Sequence, residues 1–325
     1  MIHSSFKFAL LALSGALVPA AAMAQAYPSK PVRIIIPYPS ASGPDLITRA
    51  MSPYISESIG QPVVIENKGG GGGVPAVMDL VNSAPDGYTL FAPDSSQWAI
   101  YPAARGDAPY DAVRDFAAIS RVYTSNLAVY VNASSPIKDL KELIATAKAN
   151  PGKLRYGATG VAGIMHLTGA ALATGAGINV VAVPYRASAE AVAAVLRGDI
   201  DYAVSGWQSI VPNVKAGKLR ALGLSTLLLG DDAMGVRSVA DAAGLPGFNY
   251  GVEYGIVARA GTAKAIVDKL NSAINRAMSQ PDVIKQGKAQ SFDMNPISPE
   301  QFADIIRNDV KRYAQLAKAA NIKAE

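Results

Sequence analysis

The sequence predicts an α/β protein of two lobes, each with a mainly parallel sheet flanked by helices. Strand-like apolar segments alternate with helix-like segments over most of the chain, which is typical of parallel sheets covered on both faces. The 325 residues exceed an average domain and favour two. A basic apolar strand, a turn of small residues and a helix start occur together twice, at VRIIIPYPSASGPD (32–45) and LRYGATGVAGIMHL (154–167). One such unit in each lobe would face a shared ligand cleft.

Each predicted strand is a run of β-branched or aromatic residues bounded by turn residues, and each predicted helix has apolar residues three or four apart. The strands are predicted at 32–36, 62–66, 88–92, 127–131, 154–157, 179–183, 200–204, 219–225 and 255–258. The helices are predicted at 45–59, 75–82, 137–148, 166–174, 187–197, 209–216, 263–278 and 299–319.

Residues 1–24 have the pattern of a secretory signal peptide. Lys7 gives a positive start, residues 8–18 are almost wholly apolar, and Ala22-Met23-Ala24 is a small-x-small cleavage site. The apolar run is too short to cross a membrane comfortably. We therefore expect an exported protein of the periplasm, without a lipid anchor because no cysteine follows the cleavage site.

The composition excludes several kinds of chemistry. Without cysteine, the chain has no disulfide, thiolate nucleophile or cysteine-bound metal. His166 is the one histidine left after signal removal, so no metal site and no cofactor is expected. The net charge of +5 is scattered, which argues against a nucleic-acid partner. The glycine run 69–73 lacks the Lys-Ser or Lys-Thr of a phosphate loop and is interpreted as a rim of the cleft.

The two small-residue turns predict a site for an anion. The first N–H groups of a helix have no internal partner, and the helix dipole is positive there. Pro44 removes one donor from the first turn, so donation would come from Ser42, Gly43 and Asp45. The alternative for each turn is an ordinary capped helix start. In the second turn Thr159 is the best side-chain donor.

Seven blocks in order are similar to one family. They are YPSKPVRIIIPYP (27–39), GQPVVIENKGG (60–70), APDGYTL (84–90), PGKLRYG (151–157), VPYR (183–186), KAGKLRAL (215–222) and AGLPG (243–247). The chain thus resembles, from Tyr27 to its C-terminus, the extracytoplasmic solute receptors of tripartite tricarboxylate transporters, often called the Bug family.

The resemblance implies a type II-like periplasmic binding protein that closes on a small carboxylate without transforming it. Lobe I would comprise 25–124 and 251–325, and lobe II 125–250, with hinge crossings near 123–126 and 249–253. The implied partners are the carboxylate and membrane transporter subunits, or the external domain of a sensor kinase, and we expect a monomer. A signalling receptor without a transport role and a secreted serine hydrolase using His166 are the alternatives.

The turns and the resemblance together give the expected ligand-binding residues; no catalytic residue is expected. They are Tyr38, Ser40, Ala41, Ser42, Gly43, Asp45, Ser95, Ser96, Thr159, Gly160, Val161, Ala162, Gly163, His166, Tyr185, Arg186, Ser205, Trp207, Glu253 and Tyr254.

Several of these residues have a structural alternative. His166 and Trp207 also suit core positions, and Ser95 with Ser96 also suits a helix cap. Glu253 stands where the family often has an aromatic residue, and its carboxylate would accept from a ligand, pair with Arg186 or face water. The far end of the ligand therefore stays open between an aromatic acid, a dicarboxylate and an amide-bearing acid.

Overall fold

The structure is a computed structural model that describes residues 27–159, 163–185, 187–227 and 233–320. The predicted signal segment 1–24 lies outside these residues. The strands of the described part are β1 (Val32–Ile36), β2 (Val63–Asn67), β3 (Thr89–Phe91), β4 (Phe116–Ser125), β5 (Leu127–Asn132), β6 (Arg155–Thr159), β7 (Val181–Tyr185), β8 (Tyr202–Gly206), β9 (Leu219–Leu224), β10 (Val252–Arg259) and β11 (Phe292–Asp293).

The helices account for most of the remaining described residues. They are α1 (Gly43–Ile59), α2 (Val74–Val81), α3 (Tyr101–Arg105), α4 (Ala112–Asp115), α5 (Leu140–Ala149), α6 (Ile164–Ala176), α7 (Ser188–Arg197), α8 (Trp207–Lys215), α9 (Val239–Ala243), α10 (Lys264–Met278), α11 (Pro281–Ala289) and α12 (Pro299–Ala319). A 3₁₀ turn at Gly71–Gly73 precedes α2, and a π-helix at Ser96–Ile100 precedes α3.

The strands form two mixed sheets, which confirms the predicted two-lobed α/β class. The first has the order β11-β4-β10-β3-β1-β2, and the second β7-β6-β8-β5-β9. Parallel pairing holds for β1 with β2 and β3, and for β6 with β7 and β8. The antiparallel pairs are β10 with β3 and with β4, β11 with β4, and β5 with β8 and with β9. They are found around the strands where the chain changes sheet. After β4 the chain passes from the first sheet to the second, and β10 returns it to the first sheet, antiparallel to β4.

The chain changes sheet between β4 and β5 through a single residue, Asn126. Its side-chain oxygen accepts from the hydroxyl of Thr226 at 2.6 Å and from the Thr226 N–H at 3.2 Å. Its carbonyl accepts from the Trp207 N–H at 2.9 Å. On the return path, a Cβ on Gly251 would lie only 2.6 Å from Cγ2 of Thr226 and 3.0 Å from Cγ2 of Thr124. The two crossings therefore pack against each other without room for a side chain at Gly251.

Helix α12 contacts elements of both sheets. It lies against β4, α3 and the π-helix on one side and against α6 on the other. Buried residues Phe302, Ile306 and Tyr313 make up its apolar face. A capping box fixes its start, because Ser298 accepts from the Gln301 N–H while the Gln301 side chain accepts from the Ser298 N–H.

Within the ranges that the structure describes, no helix combines the length and apolarity needed to span a bilayer. In the same ranges, no three or more His, Asp or Glu side chains cluster in a way that would hold a metal ion.

Candidate functional site

A cavity of about 420 Å³ opens where the carboxyl ends of β1 and β3 meet the start of α6. This volume is in the range of small-ligand sites, and strand ends are where open α/β sheets bind ligands. Its described lining consists of Pro37, Tyr38, Pro39, Gly70, Gly72, Gly73, Ser96, Gln97, Ile100, Tyr101, Ala104 and Gly163. Gly163 comes from the second sheet's half of the chain, so the cavity lies between the two halves.

Tyr38 is fixed in the cavity wall by Asp94, which follows β3. The Tyr38 hydroxyl donates to Oδ2 of Asp94, and the Ser96 N–H donates to Oδ1 at 2.7 Å. Burial raises the pKa of Asp94 although these donors oppose the change. Burial and the neighbouring carboxylate raise the pKa of Tyr38 well above its ordinary value, so the phenol keeps its proton. Asp94 is thus occupied in holding the wall.

Gln97 lines the cavity, although it is not among the expected ligand-binding residues. It is 3 % exposed, and its Oε1 accepts from the Asp94 N–H at 3.0 Å. Its Nε2 contacts are long, 3.4 Å to the Tyr38 hydroxyl and 3.5 Å to the Gly72 carbonyl. Such distances are at the limit of hydrogen bonding, so Nε2 retains the capacity to donate to a ligand. No sequence motif identifies Gln97 as a lining residue, because its position in the cavity wall depends on the π-helix that turns its side chain over the glycine segment.

The glycine segment forms one wall of the cavity, as its interpretation as a rim predicts. Gly72 and Gly73 have φ of 65° and 84°, a backbone region that favours glycine. A Cβ on Gly72 would lie 2.8 Å from the Tyr101 ring, and one on Gly73 2.8 Å from Cγ of Gln97. The backbone therefore packs flat against these two side chains.

The start of α6 borders the cavity at Gly163. Gly163 is the N-cap with φ −78° and ψ 170°, and it offers no side chain to cap the helix. The first intrahelical bond runs from the Leu167 N–H to the Gly163 carbonyl at 2.9 Å. The N–H groups of Ile164 and Met165 precede that bond and have no acceptor within the helix. Burial lowers the pKa of His166, which favours the neutral ring at neutral pH.

The first turn, 40–45, is not part of the described lining. The buried carboxylate of Asp45 accepts from the Ala41 N–H at 2.8 Å, from Arg49 Nε at 2.9 Å and from Asn67 Nδ2 at 2.9 Å, with the Ser40 hydroxyl at 3.5 Å. Ala41 has φ 64°, which this bond supports. The side chain of Asp45 thus stabilises the turn. Its backbone N–H lies separately, in the first turn of α1.

The next two residues of that turn lie beside the C-terminal part of the chain. Ser42 is the N-cap of α1, and its Oγ is buried without a hydrogen-bond partner. A Cβ on Gly43 would lie 2.8 Å from Oε1 of Gln290 and 2.9 Å from the Phe292 ring. Gly43 is therefore required by packing, whatever its amide binds.

We expect Asp45→Asn to destabilise the protein more at pH 7 than at pH 3. Burial opposes ionisation, but the bonds from Arg49, Asn67 and the Ala41 amide outweigh it and lower the pKa of Asp45 below 3.8. A lowered pKa stabilises the fold above the ordinary value, and this stabilisation is lost as the pH falls through the folded pKa. Melting temperatures of both proteins from pH 3 to 7 measure the difference. An equal loss at both ends would contradict the prediction.

Five further predicted residues lie inside the lobes. Ser205 bonds to the Tyr130 hydroxyl at 3.0 Å, and Trp207 is 1 % exposed in the apolar cluster beside the second sheet. Tyr254 is buried, stacks on Tyr123 and pairs with Thr48 Oγ1 at 2.8 Å. Two more are packed within their lobes, namely Ser95, whose Oγ is buried without a partner, and Tyr185, which lies against the Gly157 backbone. For Trp207 this is the core position that the sequence also allowed.

Glu253 meets Arg121 and Thr124, two partners that the sequence analysis did not name. Its Oε2 accepts from Thr124 Oγ1 at 2.8 Å and lies 3.4 Å from Arg121 Nη1. Burial raises the pKa of Glu253, while Arg121 opposes the change. The side chain thus belongs to a buried charged cluster near the crossings. The side chain of Thr159 and all of Gly160, Val161, Ala162 and Arg186 lie outside the described residues.

A family model described as "Tripartite tricarboxylate transporter family receptor" matches residues 47–322. A Pseudomonas sp. (strain P51) protein, named for the tcbD-tcbE intergenic region, is 35% identical over 90% of this chain and 86% of its own length. Protein BugT of Bordetella pertussis is 29% identical over 97% of this chain and 98% of its own.

Solved structures share the fold. One described as a periplasmic transporter is 37% identical, with a TM-score of 0.73 over 92% of this chain and 99% of its own. MatC of Rhodopseudomonas palustris, solved with malate, has a TM-score of 0.70 at 24% identity over 89% and 99%. A second R. palustris protein, solved with adipate, has 0.73 at 24% over 91% and 99%. The extent of the family match and the 35% identical relative establish that this chain belongs to the tripartite tricarboxylate transporter family of receptors, which includes Bug proteins.

Proposed function

We propose that the protein is a periplasmic receptor that binds a small organic carboxylate between its lobes and delivers it to a tripartite tricarboxylate-type membrane transporter. The observation that carries this proposal is the uncapped start of α6 at a cavity whose opposite wall comes from the first sheet's half of the chain. Free helix amides favour an anion, and a carboxylate is the anion that fits a family of carboxylate receptors. The pattern of residues 1–24 supports export to the periplasm.

The division into lobes is part of the proposal. The strands up to Ser125 and those from Val252 onward belong to the first sheet, and the strands from Leu127 to Leu224 to the second. This supports lobe I at 25–124 with 251–325 and lobe II at 125–250. Rotation about the two crossings would then bring the start of α6 toward the wall that carries Tyr38 and Gln97.

The energetics are sufficient for a transport receptor. Hydrogen bonds to a charged group contribute about 1.5–3 kcal/mol each. The amides of Ile164 and Met165 and Nε2 of Gln97 offer three donors on two walls. Together with burial of the ligand's apolar surface, and after ordering and desolvation costs, such a set would support the roughly 8 kcal/mol of a micromolar complex. Binding makes and breaks no covalent bond.

Matched pairs of small acids and their neutral amides test the binding function. We expect calorimetry on the mature protein to detect binding of at least one acid and at least about 100-fold weaker binding of its amide, because only the carboxylate gains charge-assisted bonds, and 100-fold corresponds to about 2.7 kcal/mol. Small-angle scattering should show a smaller radius of gyration with the acid. Equal affinity for acid and amide would contradict the proposal. For transport, uptake of the bound acid should depend on the gene; unchanged uptake after its deletion would favour a signalling role.

A further inference from the structure

We infer that the preferred ligand is a monocarboxylate whose remaining part is an apolar aromatic ring. This inference rests on the proposed function and goes beyond it, because it assigns the far end of the ligand. It follows from how the cavity distributes donors, charges and apolar surface.

Two groups of donors border the cavity. They are the first amides of α6 and, on the facing wall, Nε2 of the buried Gln97, whose contacts are long. The start of α2 also borders the cavity at Gly73, but fewer of its first amides are available. The Gly73 N–H bonds to the Gly70 carbonyl at 2.9 Å, the Val74 N–H bonds to the Gly71 carbonyl, and Pro75 has no N–H. A second carboxylate would therefore gain less from the start of α2 than the first gains from the start of α6.

No described lining residue carries a formal charge. The cations on the strand side of the glycine segment are already paired with acids. Arg33 lies 2.7 Å from Glu66 and 3.3 Å from Asp79, and Lys68 lies 2.6 Å from Asp79. A second ligand carboxylate placed in the cavity would lose its hydration and gain no countercharge from the described lining, which is costly.

The rest of the wall is apolar and flat. It consists of Pro37, Pro39, Ile100, Ala104 and the ring of Tyr101, which packs on the Gly72 backbone. Proline rings, an aromatic ring and side-chain-free glycine peptides present planar surfaces that suit a planar ring. Such a ring gains contact with Tyr101 that a flexible chain of similar size does not match.

A panel of small acids tests the inference on the mature protein by calorimetry. Benzoate and phenylacetate represent the proposed class, adipate and succinate represent dicarboxylates, and cyclohexanecarboxylate has a ring that is not planar. We expect an aromatic acid to bind at least tenfold more tightly than either dicarboxylate and more tightly than cyclohexanecarboxylate. A dicarboxylate that binds more tightly than both aromatic acids overturns the inference but leaves the proposed function standing. Equal affinity of cyclohexanecarboxylate overturns the aromatic assignment. If none of the five acids binds, the inference is overturned, while the proposed function is decided separately by the matched acids and amides.

Variants at Tyr101 test the same point through the ring itself. Tyr101→Phe keeps the ring, whereas Tyr101→Ala removes it. We expect the affinity for the best aromatic acid to be at least tenfold lower in the alanine variant than in the phenylalanine variant, with both variants folded by circular dichroism. Equal affinities in the two variants would overturn the contact that the inference assigns to this ring.

Discussion

Gly163→Asp is expected to lower the affinity for the carboxylate ligand by at least about 100-fold, or about 2.7 kcal/mol, with little change in stability. Gly163 has the extended backbone of an ordinary N-cap, where aspartate is among the preferred residues. The new carboxylate would accept from the first amides of α6 and add a negative charge at the cavity. It would occupy the place of the ligand's own carboxylate and repel it. Calorimetry gives the affinity, and the melting temperature confirms the fold.

Two matched variants separate this effect from its alternatives. Gly163→Ala leaves the amides free, and we expect it to weaken binding by only about threefold, or about 0.7 kcal/mol. Gly177→Asp adds the same charge at the other end of the same helix, about 20 Å away, where a new side chain meets open space but the φ of 60° makes the substitution cost some stability. Its affinity should resemble that of the unmodified protein. Affinity retained in Gly163→Asp would show that the start of α6 is not the anion site.

Asp309→Ala is expected to cost about 3–5 kcal/mol of stability, because removing one partner leaves a buried charge uncompensated. Asp309 is 3 % exposed and accepts from Trp98 Nε1 at 3.0 Å and from Arg312 Nη2 at 2.5 Å. Arg312 also donates to the Asn249 carbonyl and lies over the ring of Tyr250 at 5.0 Å. The substitution therefore loosens the packing between α12, the π-helix and the return crossing. We expect this loss of stability to lower the melting temperature by at least about 6 °C.

The same helix provides the control. Asp304 pairs with Arg307 at the same three-residue spacing, but both side chains are largely exposed, at 64 % and 48 %. Exposed pairs contribute about 0–1 kcal/mol, so Asp304→Ala should change the melting temperature little. Equal effects of the two substitutions would show that burial of the Asp309 cluster does not contribute to stability.

The regular elements were largely predictable because their patterns are local. Strand β1 and helix α12 have the predicted bounds, and the alternating middle segments lie within a few residues of their predictions. Strand β4 was missed, although it is the longest, because its run from Phe116 to Ser125 includes Arg121 and several small polar residues. Those polar side chains are buried through partners distant in sequence, such as Glu253, which no local pattern shows. The π-helix was missed for a similar reason, since its start packs on glycine backbone from another segment.

The sequence identifies the small-residue turns near the cavity better than it identifies the larger side chains that line the cavity. Gly163 and Tyr38, two of the ligand-binding candidates, line the cavity because small turns after strands lie at the carboxyl edge of a sheet. Gln97 and Tyr101 are not among those candidates, since a glutamine or tyrosine in a polar helix start has no distinguishing pattern. Asp45 shows the converse: its position in the turn is as predicted, but its carboxylate has three partners of its own.

The passage between the sheets through Asn126 has a mechanical consequence. With one residue between two paired strands, there is no slack segment to absorb a change of angle between the lobes. The bonds with Thr226 and with the Trp207 amide hold Asn126 to the second sheet's half of the chain, so the backbone beside it would have to absorb any change of angle. So short a crossing favours one angle between the lobes. The free energy needed to change that angle is subtracted from the free energy of the ligand's contacts, and the remainder is the affinity.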